Sequence, residues 1–145
     1  MKRLLFVLCA GLMACAFTAR AELKWGTDLN TALAQAKKDK KLVMINFTGS
    51  DWCIWCKRLQ KDVFSTKEFD DYAKDNLVLV EADFPRTKKI DSKQQKANEA
   101  LMTKYNVQGF PTLVVLNGDG KKVGELGYEK TPQLFISKLQ DAKKK

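Results

Sequence analysis

Two short apolar runs, separated by enough chain for a crossover helix, constrain this sequence more than any other feature. Leu42-Val43-Met44-Ile45-Asn46-Phe47 and Leu77-Val78-Leu79-Val80-Glu81-Ala82-Asp83 are nearly continuous and partly β-branched. Strands of this kind need cover on both faces, so they read as the centre of a sheet with helices on either side. The flanking segments supply those helices. Asp28 caps a helix to about Lys38, with Leu29, Ala32, Leu33 and Ala36 on one face. A second helix runs from about Cys53 to Val63, and Ser65 with Glu68 forms a capping box for a third. Residues 85–91 form a polar loop, after which Asp91 or Ser92 opens a helix reaching about Tyr105.

Thr112 to Leu116 is a third strand, and Asn117-Gly118-Asp119-Gly120 turns it into a return strand from Lys122 to Leu126. Thr131 caps the last helix, with Pro132 at its first position. The order α, β, α, β, α, β, β, α predicts an α/β fold. Its alternating part implies a parallel core with right-handed crossovers, and the hairpin adds an antiparallel edge. The expectation is a central, mixed, four-stranded sheet with helices on both faces.

The 145 residues suffice for one domain. The first 21 read as a secretory signal peptide: Lys2 and Arg3, the apolar stretch Leu4 to Ala16, and the small-residue site Ala19-Arg20-Ala21. A short membrane anchor is one alternative. Another is lipidation at Cys15, since Leu12-Met13-Ala14-Cys15 has the pattern of a bacterial lipobox, which would tether the protein to a membrane. Cleavage after Ala21 leaves residues 22–145 as the domain, removes Cys9 and Cys15, and lowers the net charge from +9 to +6. The chain carries no nucleic-acid-binding motif, so its basicity implies solubility or attraction to acidic partners rather than nucleic-acid binding.

The two cysteines that remain, Cys53 and Cys56, fall where the first apolar strand gives way to a helix. Unpaired backbone N–H groups and the macrodipole at a helix N-terminus stabilise an anion, here the Cys53 thiolate. The spacing puts Cys56 one turn on, able to close a disulfide with Cys53. Cys53 is the expected attacking thiol, and Cys56, deeper and more buried, the resolving one. A purely structural disulfide is a poor alternative, because so small a loop gains little entropy. Zinc normally takes four ligands, and the chain has no histidine, so a metal site would need two copies sharing their thiolates. Haem attachment requires histidine where Lys57 stands. No cofactor or metal is expected.

The motif Asp51-Trp52-Cys53-Ile54-Trp55-Cys56-Lys57 resembles the W-C-x-x-C-K active site of the thioredoxin superfamily. Gly109-Phe110-Pro111-Thr112 resembles that superfamily's cis-proline segment. The phrase Phe47-Thr48-Gly49-Ser50-Asp51-Trp52 is closest in style to exported bacterial members. The resemblance implies a thioredoxin-like fold and thiol–disulfide exchange with disulfide-containing proteins, driven by an electron donor that the sequence does not name. It also implies that Pro111 sits opposite Cys53 and offers backbone groups to an extended substrate, a form of strand addition. Members that act as strong oxidants often carry histidine between the cysteines. Ile54 and Trp55 stand there instead, so the resemblance favours a reductase working in the periplasm or after secretion. A non-catalytic peptide-binding or chaperone-like module is the alternative.

Trp55 is expected to contact substrate. Trp52 and Phe110 serve equally as substrate contacts or as packing residues. Lys57 either favours the thiolate or solvates its helix. Asp51 either raises the thiol pKa or caps a helix or turn. The superfamily usually carries a buried aspartate on the strand before the active site, where this chain has Asn46. Asparagine takes no proton at neutral pH. Glu81 is a possible substitute, although a solvated strand-end acid is its simpler reading.

Overall fold

A computed structural model describes residues 23–144. The expected signal segment, with Cys9, Cys15 and the cleavage point after Ala21, lies outside the described residues. Five strands form one sheet in the order β1-β3-β2-β4-β5. They are β1 (Trp25–Gly26), β2 (Leu42–Thr48), β3 (Leu77–Asp83), β4 (Thr112–Leu116) and β5 (Lys122–Leu126). The helices are α1 (Leu29–Asp39), α2 (Ile54–Leu59), α3 (Lys67–Asn76), α4 (Ser92–Lys104) and α5 (Pro132–Lys143).

Four strands coincide with those read from the sequence. The fifth, β1, pairs parallel with β3 through Trp25 and Gly26 alone. β2 and β3 are the parallel core. β4 departs from the expected pattern by running antiparallel to β2, with Phe47 opposite Thr112. β3 ends and β4 begins at the same end of the strands, so the intervening chain completes a round trip rather than a simple crossover.

Alternation along the strands divides the core into two layers. Val43, Ile45 and Phe47 of β2 meet Leu29, Ala32 and Ala36 of α1 on one face, together with Val107 and the half-buried Leu101 of α4. Leu42 and Met44 point the other way, towards Leu59 of α2, Phe69 of α3 and Phe135 and Leu139 of α5. Asn46 belongs to this second face, as does Glu81, its partner in the β2–β3 register.

The helix after the cysteines is not regular throughout. α2 passes into a π-helical turn over Gln60–Phe64. The next helix starts one residue later than expected: Thr66, not Ser65, is the N-cap of α3 and accepts from Phe69 N. The wider turn ends with Ser65 N donating to Gln60 O, which leaves Ser65 in the turn.

Candidate active site

β2 ends at Thr48, and the chain turns sharply through Gly49 to Trp52 before entering α2. This turn places the two cysteines beyond the C-terminal end of the central strand β2. Cys53 is the N-cap of α2, and its Sγ accepts the Cys56 backbone N–H at 3.1 Å. Cys53 and Cys56 are joined in a disulfide, with their Cα atoms 5.2 Å apart. The cap is therefore a sulfur, and the helix N-terminus is directed at the reactive atom. The expected difference in burial is absent, since both residues are 5–6% exposed. In the bonded form Cys53 Sγ folds over the first turn of α2, which shields it as fully as Cys56.

Gly49 makes room for the Trp52 indole. A Cβ at Gly49 would lie 2.4 Å from Trp52 Cε2, so only glycine permits this seat. Trp52 Nε1 donates to Phe84 O at 2.8 Å. Phe110 meets the Trp52 ring edge-on at 6.0 Å and stacks on Phe84 at 5.1 Å. The Phe110–Pro111 peptide bond is cis. Trp52 is thus packed along part of its ring, while the residue as a whole is 37% exposed. Trp55 is 48% exposed and lies 5.2 Å from Tyr128, whose hydroxyl donates to Asp62 at 2.9 Å. Trp52 packs on Phe110, the residue before the cis proline, while Trp55 packs on Tyr128.

Asp51 is neither the helix cap nor a neighbour set against the thiols. Its carboxylate accepts from the backbone N–H groups of Arg86, Thr87 and Lys88 and from the Thr87 hydroxyl. Those bonds, the Thr87 hydroxyl first, hold its carboxyl well below the usual carboxylate range. They also fasten the loop after β3 to the active-site turn. Lys57 Nζ donates to Asp51 O at 2.8 Å, bracing the same turn.

Behind the disulfide lies a cavity of about 210 Å3, lined in part by Asn46, Thr48, Cys56, Lys57, Gln60 and Glu81. Asn46 is 5% exposed, and among the described residues its Oδ1 has no hydrogen-bond partner. Glu81 is half-buried here rather than solvated at a strand end. Burial pushes its pKa up, the neighbouring Asp83 adds to the rise, and Lys88 opposes it. Asp83 itself is buried and accepts from Ser50 N and Ser50 Oγ at 2.9 and 2.6 Å. Among the described residues, no group of His, Cys, Asp and Glu has the arrangement of a metal site.

Sequence reasoning missed Phe84, Arg86 and Tyr128, which reach the site from distant segments. The one available signal was rarity: only Arg58 and Arg86 are arginine within residues 22–145.

The thioredoxin-like domain family matches residues 29–143. Over 127 residues the chain is 36% identical to Disulfide bond reductase DsbH of Chlamydia pneumoniae, covering 87% of this chain and 76% of that protein. Over 107 residues it is 35% identical to Thiol:disulfide interchange protein DsbD of Vibrio cholerae, covering 74% of this chain but 16% of that longer protein. A solved structure of DsbH oxidoreductase aligns with a TM-score of 0.81 at 35% identity, covering 92% of this chain and 93% of that one. The C-terminal domain of Neisseria meningitidis DsbD, in its oxidised form, shares the fold with a TM-score of 0.58 at 21% identity, over 81% of this chain and 99% of that one.

Proposed function

Since the chain belongs to the thioredoxin-like family and is a thiol–disulfide oxidoreductase, we propose that it is an exported reductase of protein disulfides, acting through Cys53 and Cys56. The observation that carries this reading is the position of Cys53 as the sulfur cap of α2, where a backbone N–H is already directed at it. In the reduced protein the Cys53 thiolate attacks a substrate disulfide. One substrate sulfur leaves as a thiolate, and a mixed disulfide forms on Cys53. Cys56, once deprotonated, attacks Cys53 Sγ and releases the second substrate sulfur as a thiolate. The substrate gains two electrons, and the protein ends with the Cys53–Cys56 disulfide. A dithiol donor must reduce it again.

The reductive direction is supported by likeness to a disulfide bond reductase over most of both chains. It is also supported by the uncharged pair Ile54 and Trp55 between the cysteines. They add no cationic stabilisation of the thiolate from between the cysteines, which favours the disulfide over the dithiol. Pro111, Phe110, Trp52 and Trp55 form the substrate surface in this reading, with extended substrate pairing beside Pro111. Residues 1–21 are a signal peptide and residues 22–145 the working domain, placing the protein in the periplasm or outside the cell. Lipidation at Cys15 is the membrane-bound form of the same proposal. Among the described residues, no helix is long and apolar enough to cross a membrane.

Turnover in the reduction of insulin disulfides, with dithiothreitol as donor, tests the activity. Rate enhancement lost in Cys53→Ser is the expected result. Peptide binding without any turnover by the wild type would instead establish the chaperone-like alternative.

A further inference from the structure

The cations of this chain are unevenly deployed. Residues 22–145 hold 21 lysines spread over the surface and two arginines, Arg58 and Arg86. Both arginines stack on tryptophans of the motif, Trp52 just before Cys53 and Trp55 between the cysteines. The Arg86 guanidinium lies 3.8 Å from the centre of the Trp52 ring, and that of Arg58 lies 4.9 Å from the centre of Trp55. Arg86 comes from the loop after β3 and Arg58 from α2, so two separate elements build the same arrangement beside the disulfide.

A guanidinium stacked on an indole is oriented by its flat face and keeps its edge N–H groups free for a carboxylate. Both arginines are exposed. Among the described residues, neither side chain takes part in an ion pair. The nearby acids are already engaged. Asp51 is held by the loop amides, Asp62 accepts from Tyr128, and Asp83 accepts from Ser50. Lys57, Lys61, Lys88 and Lys89 add positive charge around the same rim, all of them exposed. The rim of the disulfide is therefore aromatic and net cationic, and among the described residues its neighbouring carboxylates, Asp51, Asp62, Asp83 and the half-buried Glu81, form no ion pair with either guanidinium.

We propose that this surface docks protein segments carrying aspartate or glutamate on both sides of the reactive cysteine, with Arg58 and Arg86 as the docking residues. The inference rests on the exchange reaction proposed above and names its substrate class. The tryptophan faces supply apolar contact for the extended segment, while the guanidinium edges donate paired N–H bonds to its carboxylates. Lysines alone would give attraction without this orientation, which is why the placement of the two arginines of residues 22–145 matters.

The test uses the reduced protein and two disulfide-cyclised peptides that differ only in glutamate or lysine flanks. The second-order rate of protein oxidation is followed by tryptophan fluorescence. The glutamate peptide should react about tenfold faster at low ionic strength, equivalent to 1.4 kcal/mol shared between two exposed charge pairs. The preference should shrink towards unity at about 1 M salt, where the screening length is about 3 Å. Arg58→Gln/Arg86→Gln should cut the ratio to about twofold or less, and Arg58→Lys/Arg86→Lys should lower it partway. Lys96→Gln/Lys121→Gln removes the same net charge elsewhere and should leave the ratio intact.

Equal rates for the two peptides overturn the proposal. So does an equal fall in the ratio for the arginine and lysine variants, or a full ratio in the arginine-to-lysine pair. Oxidation of the protein by uncharged 2-hydroxyethyl disulfide reports the exchange reaction separately. If that fails, the exchange reading fails, and docking is decided by binding of cysteine-to-serine versions of the two peptides, with the same ranking expected or the proposal lost.

Discussion

Gly49→Ala probes the seat of Trp52 and, through it, the shape of the active-site rim. The new Cβ would stand 2.4 to 2.7 Å from three atoms of the indole, against an ordinary carbon contact of about 3.5 to 4.0 Å. The ring must retreat by roughly 1 Å, which takes the 2.8 Å bond from Trp52 Nε1 to Phe84 O beyond useful length. That bond contributes about 1 kcal/mol. The edge-on contact with Phe110 and the Arg86 stack contribute about 0.7 kcal/mol each. Replacing glycine offsets about 0.5 kcal/mol by narrowing the unfolded ensemble, because no positive φ stands at Gly49 to strain the alanine. The net loss is about 2 kcal/mol, or roughly 8 °C in Tm for a domain of this size. Thermal unfolding followed by circular dichroism measures it, and near-ultraviolet spectra of the folded variant report the altered indole. A Tm and a tryptophan spectrum equal to wild type would refute the packing described at this turn.

Other consequences are equally open to measurement. Cys56→Ser should accumulate mixed disulfides with substrate and Cys53→Ser should not; equal trapping on non-reducing gels would overturn the assignment of roles. Glu81→Gln should slow release of the mixed disulfide by about tenfold near neutral pH, with the difference shrinking at high pH where Cys56 ionises unaided. Asn46→Asp should speed the same step in the Glu81→Gln background, and no effect of either change would mean that the proton goes directly to water. Because burial raises the pKa of Glu81, its ionised form is disfavoured in the fold. Glu81→Gln should therefore raise Tm at neutral pH and lose that advantage as pH falls through the raised pKa of Glu81, with none left below about 4, where the carboxyl is protonated in both states. A stability difference independent of pH would contradict this. For the exported protein, N-terminal sequencing should begin at Glu22, whereas a lipid-modified Cys15 would establish the tethered form.

Much of this architecture was legible because short, nearly continuous apolar runs determine strands. β2 and β3 follow from Leu42 to Phe47 and from Leu77 to Asp83, and the caps at Asp28 and Thr131 follow from local chemistry. β1 escaped because Trp25 and Gly26 are too few to show a period, and they become a strand only by pairing with Leu79 and Val80. Ser65 and Thr66 are adjacent hydroxyl residues, and the π-helical turn before them decides which one caps α3. The direction of β4 depends on where α4 returns the chain, which no local pattern records. Glu81 was readable in principle: it shares a face with Leu77 and Leu79, so alternation already turned it inward, towards the layer containing Cys56. The bonds of Asp51 to residues 86–88 and the stack of Arg86 on Trp52 join segments more than thirty residues apart, beyond the range of helix and strand periodicity.

The reduction potential of the Cys53–Cys56 couple, measured by equilibration with glutathione buffers, tests the central claim most directly. A reductase must hold its electrons less tightly than the disulfides it acts on. The expected value is more negative than about −220 mV, within the range of thioredoxin-type reductants. A value near −120 mV would make the protein an oxidant and contradict the proposed direction of exchange.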